Sequence, residues 1–168
     1  MERTLIILKP DAVQRGVVGE ILQRFERVGM RIVGAKMIQP TKDQLHHHYE
    51  TIGQMVTRRG EDVFNMTLTY VMEGPMVAVV LEGVDAAEIG RKLVGATEPK
   101  SALPGTIRGD FSHMSFNHSD KIKSGLPNLI HASGDADEAK LEIAFWFSES
   151  ELFEYETVHE KHTIKKQK

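Results

Sequence analysis

Four short segments rich in aliphatic side chains constrain the fold of this chain most strongly. A short apolar run bounded by proline, glycine or charged residues favours a buried strand over a helix. The clearest of them follows Pro75 and has the sequence M-V-A-V-V-L-E. The predicted strands are Thr4–Lys9, Arg31–Gln39, Met76–Glu82 and Asn128–His131. The chain is therefore predicted to build a small sheet.

Helical patterns separate these strands. Ile21, Leu22, Phe25 and Val28 recur at helical spacing before Gly29, a common residue after a helix end. Thr41 and Gln44 form a capping-box pattern. Further helices are predicted over residues 42–50, around 63–72, from Asp85 through Val94, and from Ala136 to Phe147. Residues 95–127 are predicted to be mostly irregular.

The resulting element order is β-α-β-(α,α)-β-α-β-α. This order predicts an α+β fold of the ferredoxin-like type, in which helices flank a four-stranded antiparallel sheet. The length of 168 residues favours one domain, predicted over residues 1–157, followed by a polar tail over 158–168 that ends K-K-Q-K.

Composition excludes several classes of protein. There is no cysteine, so disulfides, thiolate catalysis and cysteine-based metal sites are excluded. No apolar run approaches the roughly 20 residues of a membrane span. The net charge of −3 argues against a nucleic-acid partner. We expect a cytoplasmic protein with no membrane association.

A histidine closes the last predicted strand. The segment N-L-I-H ends at His131 and is followed by the small and acidic residues A-S-G-D. Imidazole in a loop can act near neutral pH as a base, a metal ligand or a nucleophile. Alternatively, His131 only ends the strand and bonds to backbone.

A carboxylate lies in the following helix. Glu142 falls on or beside the apolar stripe that contains Ala139 and Trp146, and a buried carboxylate needs a partner. A histidine on the neighbouring strand would suit it, since a carboxylate orients imidazole and raises its basicity. Alternatively, Glu142 lies at the edge of the stripe and reaches solvent.

Other polar residues could converge on a polyphosphate. Arginine and lysine are the usual phosphate-binding side chains. The candidates are Lys9, Arg91, Thr97, Arg108 and Asn128. Each also has an ordinary structural explanation, and no spacing rule links them. The common glycine-rich phosphate motifs, G-x-x-x-x-G-K-[ST] and G-x-G-x-x-G, are absent.

Three blocks of the sequence together resemble the nucleoside diphosphate kinase family. I-L-K-P-D-A-V-Q-R-G at residues 7–16 is similar to the family's I-K-P-D-G-V-Q-R-G, and G-T-I-R-G-D-F at 105–111 matches its counterpart. N-L-I-H-A-S at 128–133 resembles the signature N-x-x-H-[GA]-S. The likeness extends from Thr4 to about Tyr155 and implies a ping-pong transfer of the γ-phosphate of a nucleoside triphosphate to a nucleoside diphosphate.

The resemblance also implies roles for single residues. His131 would carry the phosphoryl group, Glu142 would hold its ring, and Ser133 and Tyr49 would lie beside them. Lys9, Arg91, Thr97 and Arg108 would grip the phosphates, and Asn128 would contact the sugar. An apolar side chain would stack on the base, and Phe64 is favoured over Val63 for this role. Mg²⁺ would be held by the phosphates.

Three further expectations follow from the same resemblance. The segments 51–62 and 112–127 are longer than in the family's common form. Inserts of this kind resemble archaeal members. Residues 96–105 resemble a loop that joins subunits in the family's hexamers, so we expect a homo-oligomer, with a hexamer favoured over a tetramer.

The sequence disfavours two alternative functions that share this topology. An RNA-binding module of similar topology needs exposed aromatic residues on its central strands. The strands at 5–9 and 76–82 contain none. A ferredoxin-like nucleotide-binding regulatory module without catalysis would be expected to lack His131, Lys9 or Arg108, and all three are present.

Overall fold

A computed structural model of the protein describes residues 1–163 and contains a four-stranded antiparallel sheet. The strand order is β2-β3-β1-β4, so β3 and β1 are central. The strands are β1 (Glu2–Leu8), β2 (Arg31–Ile38), β3 (Met76–Gly83) and β4 (Ile130–Ala132). The predicted ferredoxin-like α+β fold is confirmed.

Two strand boundaries matter for the site. β1 ends at Leu8, so Lys9 lies just beyond the strand and precedes the first helix. β4 extends past the predicted end, which places His131 in the middle of the strand and opposite Ile7 of β1. The register with a central strand fixes the position of the histidine backbone.

The main predicted helices are present, with small shifts at their ends. Thr41 caps the third helix through a capping box with Gln44, as predicted. The helix then continues beyond His46 as a π-helical turn over His47–Ile52. The helices are α1 (Pro10–Gln14), α2 (Val18–Arg27), α3 (Lys42–His46), α4 (Met55–Arg59), α5 (Glu61–Val71), α6 (Ala86–Val94), α7 (Ile107–Phe111), α8 (Phe116–Ile122), α9 (Ala136–Trp146) and α10 (Glu160–Thr163).

The prediction of a mostly irregular segment over 95–127 is wrong in part. The segment contains α7 and α8, and each begins with a side-chain cap. The Thr106 hydroxyl accepts the Gly109 N–H, and the Ser115 hydroxyl accepts the His118 N–H. Such helices span only one or two turns, which is too short for an apolar repeat to become visible in the sequence.

The sheet separates two cores. Ile130 and Ala132 pack into the core that includes Phe25 of α2. Successive side chains of a strand alternate between the faces of a sheet. His131 therefore projects to the opposite face, where the second core includes Trp146 of α9.

The C-terminal region is described only in part. Arg31 of β2 pairs with Glu160 of α10 at 3.0 Å, within the predicted tail. The terminal K-K-Q-K lies outside the described residues. Within residues 1–163, no helix is both long and apolar enough to cross a bilayer.

Candidate active site

The polar residues singled out in the sequence meet around one surface cavity. The cavity has a volume of about 190 Å³ and lies between β1, β4, α6, α9 and the π-helical turn. The predicted residues that line it are Lys9, Tyr49, Arg91, Thr97, Arg108, Asn128, His131 and Glu142. The fold thus brings together side chains whose spacing in the sequence did not predict that they would be neighbours.

His131 lies against Glu142. Its Nε2 is buried and is 2.8 Å from Oε1 of the carboxylate, which is itself almost fully buried. Burial opposes the ionisation of Glu142, but the neighbouring imidazoles of His131 and His48 and the hydroxyl of Ser133 outweigh it and hold its pKa at about 2. The carboxylate is therefore charged at neutral pH. Because Nε2 faces Glu142, Nδ1 is the nitrogen through which His131 can react.

Ser133 supports the carboxylate rather than lining the cavity. Its Oγ donates to Oε2 of Glu142 at 2.6 Å and accepts the backbone N–H of Leu5 at 3.1 Å. Ser133 is fully buried. The hydroxyl therefore ties Glu142 to β1 beside His131.

A second histidine, which sequence reasoning missed, adjoins the pair. His48 lies in the π-helical turn with its ring centroid 4.6 Å from that of His131. Trp146 donates its indole N–H to Nδ1 of His48 at 3.2 Å. Burial and then the nearby His131 lower the pKa of His48 to about 3, so this ring stays neutral. Only its position in a run of three histidines, H-H-H at 46–48, marked it in the sequence.

The cavity is also lined by cationic side chains, among them Arg108 and Arg91. Arg108 is buried and donates to the backbone carbonyl oxygens of Asn128, Gly95 and Ile130. Burial and then the charge of Arg91 lower the pKa of Arg108 to about 10. The arginine is thus held rigidly while its charge is not neutralised by a carboxylate contact among the described residues.

Lys9 adds a third positive group. Its Nζ donates to Oδ1 of Asn128 at 2.7 Å. Burial and then the charge of Arg108 lower the pKa of Lys9 to about 7. The pKa values of Lys9 and Arg108 are thus each lowered by burial and by a neighbouring cation. An anion would stabilise the charged forms of both groups, which points to a phosphate-binding site.

A strained turn places Asn128. Leu129 has a φ of +69°, which is costly for a residue with a branched side chain. Its backbone N–H bonds to the carboxylate of Asp11 at 3.0 Å, and its carbonyl accepts the N–H of Lys9 at 2.8 Å. The amide nitrogen of Asn128 donates to the carbonyl of Thr97 at 2.9 Å. Asp11 is a second contributor that the sequence analysis did not identify.

Tyr49 is largely buried beside these groups. Burial and then the charge of Glu142 raise the pKa of Tyr49 well above its ordinary value. Its hydroxyl is therefore protonated and can donate a hydrogen bond to an anion in the cavity.

The structure places Phe64 away from the cavity, contrary to the expected base contact. Phe64 is 6% exposed, belongs to the core below α5 and packs edge-on against His46. Val63 is likewise absent from the described lining residues. The direction of a helical side chain depends on how the helix docks, which the sequence did not reveal. Met55, Arg58 and Arg59 of α4 line the cavity instead.

Two nitrogen ligands and one carboxylate also cluster here. The potential ligand atoms of His48, His131 and Glu142 lie within 4.8 Å of one another. Such a set suits transition metals better than Mg²⁺, which prefers oxygen ligands.

Comparison with known proteins identifies relatives of this chain. Residues 2–152 match the family model described as nucleoside diphosphate kinase. The nucleoside diphosphate kinase of Pyrococcus horikoshii is 45% identical over 92% of this chain and 90% of its own. That of Borreliella burgdorferi is 43% identical over 92% of both chains.

A solved structure shows the same fold. It is a transition-state mimic of the nucleoside-diphosphate kinase from Borrelia burgdorferi with bound vanadate and ADP. Its TM-score is 0.93, its identity is 42%, and the match covers 96% of both chains.

Proposed function

The chain belongs to the nucleoside diphosphate kinase family, and we propose that His131 is the residue through which it passes the phosphoryl group. The activity is the transfer of the γ-phosphate of a nucleoside triphosphate to a nucleoside diphosphate. The observation that carries the assignment to His131 is its pairing with Glu142 at 2.8 Å beside a cationic cavity.

The first half-reaction forms a bond between Nδ1 of His131 and the γ-phosphorus, while the bond to the leaving oxygen of the diphosphate breaks. Glu142 holds the proton on Nε2, so that Nδ1 presents its lone pair, and stabilises the positive charge that the ring acquires. Ser133 keeps the carboxylate in place. The second half-reaction reverses these steps with a different diphosphate.

Lys9, Arg91 and Arg108 neutralise the charge of the phosphates, and Thr97 and Tyr49 supply further hydroxyl groups. Asn128 contacts the sugar and is prepositioned by Lys9 and by the Thr97 carbonyl. Catalysis of phosphoryl transfer rests mainly on such placement and charge stabilisation.

Nucleotide kinases generally need a divalent cation, and here the proposed ion is Mg²⁺. In this proposal the ion belongs to the substrate and is held by phosphate oxygens. We also propose that the enzyme works in the cytoplasm.

We propose further that the protein is a homo-oligomer, with a hexamer favoured. Leu103 in the segment 96–105 is 73% exposed, and burial against a second copy would remove this apolar side chain from water. Size-exclusion chromatography with light scattering measures the mass of the assembly, and Leu103→Asp is expected to reduce it. A monomeric wild-type protein would contradict the proposal.

Labelling tests the role of His131. The protein is mixed with Mg²⁺ and γ-labelled ATP, and the nucleotide is then removed. We expect acid-labile, base-stable label on the protein that passes to added GDP and is lost in His131→Ala. His162→Ala serves as the matched control because His162 is exposed on α10.

Two outcomes would overturn the assignment. Label retained by His131→Ala would place the phosphoryl group on another residue. Release of the label only as free phosphate, with none passed to GDP, would contradict transfer between nucleotides.

A further inference from the structure

Residues 51–62 and 112–127, the two segments expected to be longer than in the family's common form, meet beside the cavity. The guanidinium carbon of Arg59, on α4, lies 5.4 Å from the ring centroid of Phe116, on α8. Arg59 also lines the cavity. The contact therefore joins residues 51–62 and 112–127 directly beside the proposed nucleotide site.

The helices that carry both partners are anchored at their first turns. The Phe116 N–H donates to the carboxylate of Glu98 at 3.0 Å, which anchors α8 next to the cavity residue Thr97. At the start of α4, the Val56 N–H donates to Oε2 of Glu50 at 2.7 Å. The half-buried Phe116 ring thus has a fixed location behind Arg59.

The proposed reaction places the phosphates between His131 and the cationic residues Lys9 and Arg108. The nucleoside must then extend along the remaining wall of the cavity, which includes Met55 and Arg59 of α4. Phe64 cannot serve there because it is buried in the core. The base needs another flat surface.

We propose that Arg59, backed by Phe116, is the surface on which the nucleobase stacks; this inference rests on the proposed function. A guanidinium is planar and stacks on aromatic faces. The guanidinium carbon of Arg59 lies over the ring of Phe116, and Arg59 also lines the cavity. Stacking involves the face of a base and not its edges, so the platform accepts purines and pyrimidines alike.

Substitutions of Arg59 separate stacking from charge. Arg59→Lys keeps the positive charge but loses the plane, whereas Arg59→Ala loses both. Both variants are expected to raise the KM for ADP, GDP and CDP by about five- to tenfold, as expected for loss of one stacking contact, and to leave kcat within about twofold. Arg27→Lys is the matched control, since Arg27 is exposed on α2.

Substitutions of Phe116 test the second layer. Phe116→Leu is expected to raise the same KM values by a smaller factor, and Phe116→Tyr is expected to retain the wild-type values. If Phe116→Leu does not fold, as judged by circular dichroism, the Arg59 variants decide alone.

Binding of inorganic pyrophosphate, which has no base, separates the base from the phosphates. We expect its inhibition constant to be unchanged in Arg59→Ala. Equal weakening of pyrophosphate and ADP would show that Arg59 grips phosphate, and wild-type KM in Arg59→Lys would show that its plane is irrelevant. Either result overturns the inference.

Phosphoenzyme formation tests the proposed function separately from the stacking platform. The Arg59 variants are expected to form the phosphoenzyme fully at saturating ATP. A wild-type protein that forms none would overturn the proposed function, whereas normal labelling with unchanged KM values would overturn only the stacking platform.

Discussion

Oε1 of Glu142 lies 2.8 Å from Nε2 of His131, and burial shields both atoms from water. We propose that a charged carboxylate in this position fixes the tautomer of the ring and leaves Nδ1 as the nitrogen that reacts. The pair joins a helix to a strand, so its geometry depends on how α9 packs on the sheet. Four predictions follow from this site and its surroundings.

Glu142→Gln removes the charge while preserving the shape of the side chain. We expect phosphorylation by ATP to slow by about 10- to 100-fold, the range seen when a group that orients a functional histidine is removed. Nucleotide affinity should change little, because Glu142 faces the ring and not the phosphates. Single-turnover labelling and equilibrium ADP binding measure the two effects.

Glu149→Gln is the control for that experiment, since Glu149 is exposed. A folded Glu142→Gln protein with full turnover would show that the carboxylate serves only packing.

Removing the His48 imidazole should change the acid sensitivity of the fold. Burial and the nearby His131 lower the pKa of His48 from 6.5 to about 3. Between these values the unfolded chain binds a proton that the folded protein does not, so His48 costs stability as the pH falls. In His48→Phe this loss should be absent.

Urea unfolding at pH 7 and pH 4.5 tests whether His48 lowers the free energy of unfolding as the pH falls. The wild type should lose more unfolding free energy between the two pH values than His48→Phe does. At pH 7 the variant should be less stable by about 1–3 kcal/mol, because the Trp146 N–H loses its acceptor. Equal pH dependence in the two proteins would mean that His48 is not buried as a neutral ring.

Lys9 should take up a proton when nucleotide binds. Its pKa of about 7 in the free protein results from burial and from the charge of Arg108. A polyphosphate stabilises the ammonium form and raises this pKa, so at pH 8 binding draws a proton from the buffer. Titration calorimetry of ADP in buffers of different ionisation enthalpy measures the uptake.

At pH 6 the amine is already mostly charged, and proton uptake by Lys9 should shrink. In Lys9→Met the uptake attributable to this residue at pH 8 should disappear together with most of the affinity. Buffer-independent enthalpies for the wild type at pH 8 would contradict the assignment.

Phe64→Leu should affect stability and not substrate binding. Phe64 is 6% exposed within the core, so shortening it is expected to cost about 1–2 kcal/mol of unfolding free energy. The KM for ADP should stay at the wild-type value. Phe153→Leu is a matched control at a position that is 65% exposed, where the cost should be small. A raised KM for ADP with an unchanged free energy of unfolding would instead indicate that Phe64 contacts the nucleobase.

Sequence patterns were enough to predict the strands, the main helices and most of the chemical groups of the site. Runs such as 76–82 allow few conformations other than a buried strand, because apolar side chains must leave water. His131, Lys9 and Arg108 could be selected because their types suit phosphate chemistry and because their surrounding blocks resemble those of one family.

Tertiary structure alone decided which groups touch. His48 and Asp11 act through contacts with residues far away in the chain, at Trp146 and Leu129. The direction of Phe64 and the meeting of Arg59 with Phe116 depend on how short helices dock. The local sequence pattern predicts whether a side chain is buried. It does not predict which side chain it contacts, because that depends on how segments far apart in the sequence pack together.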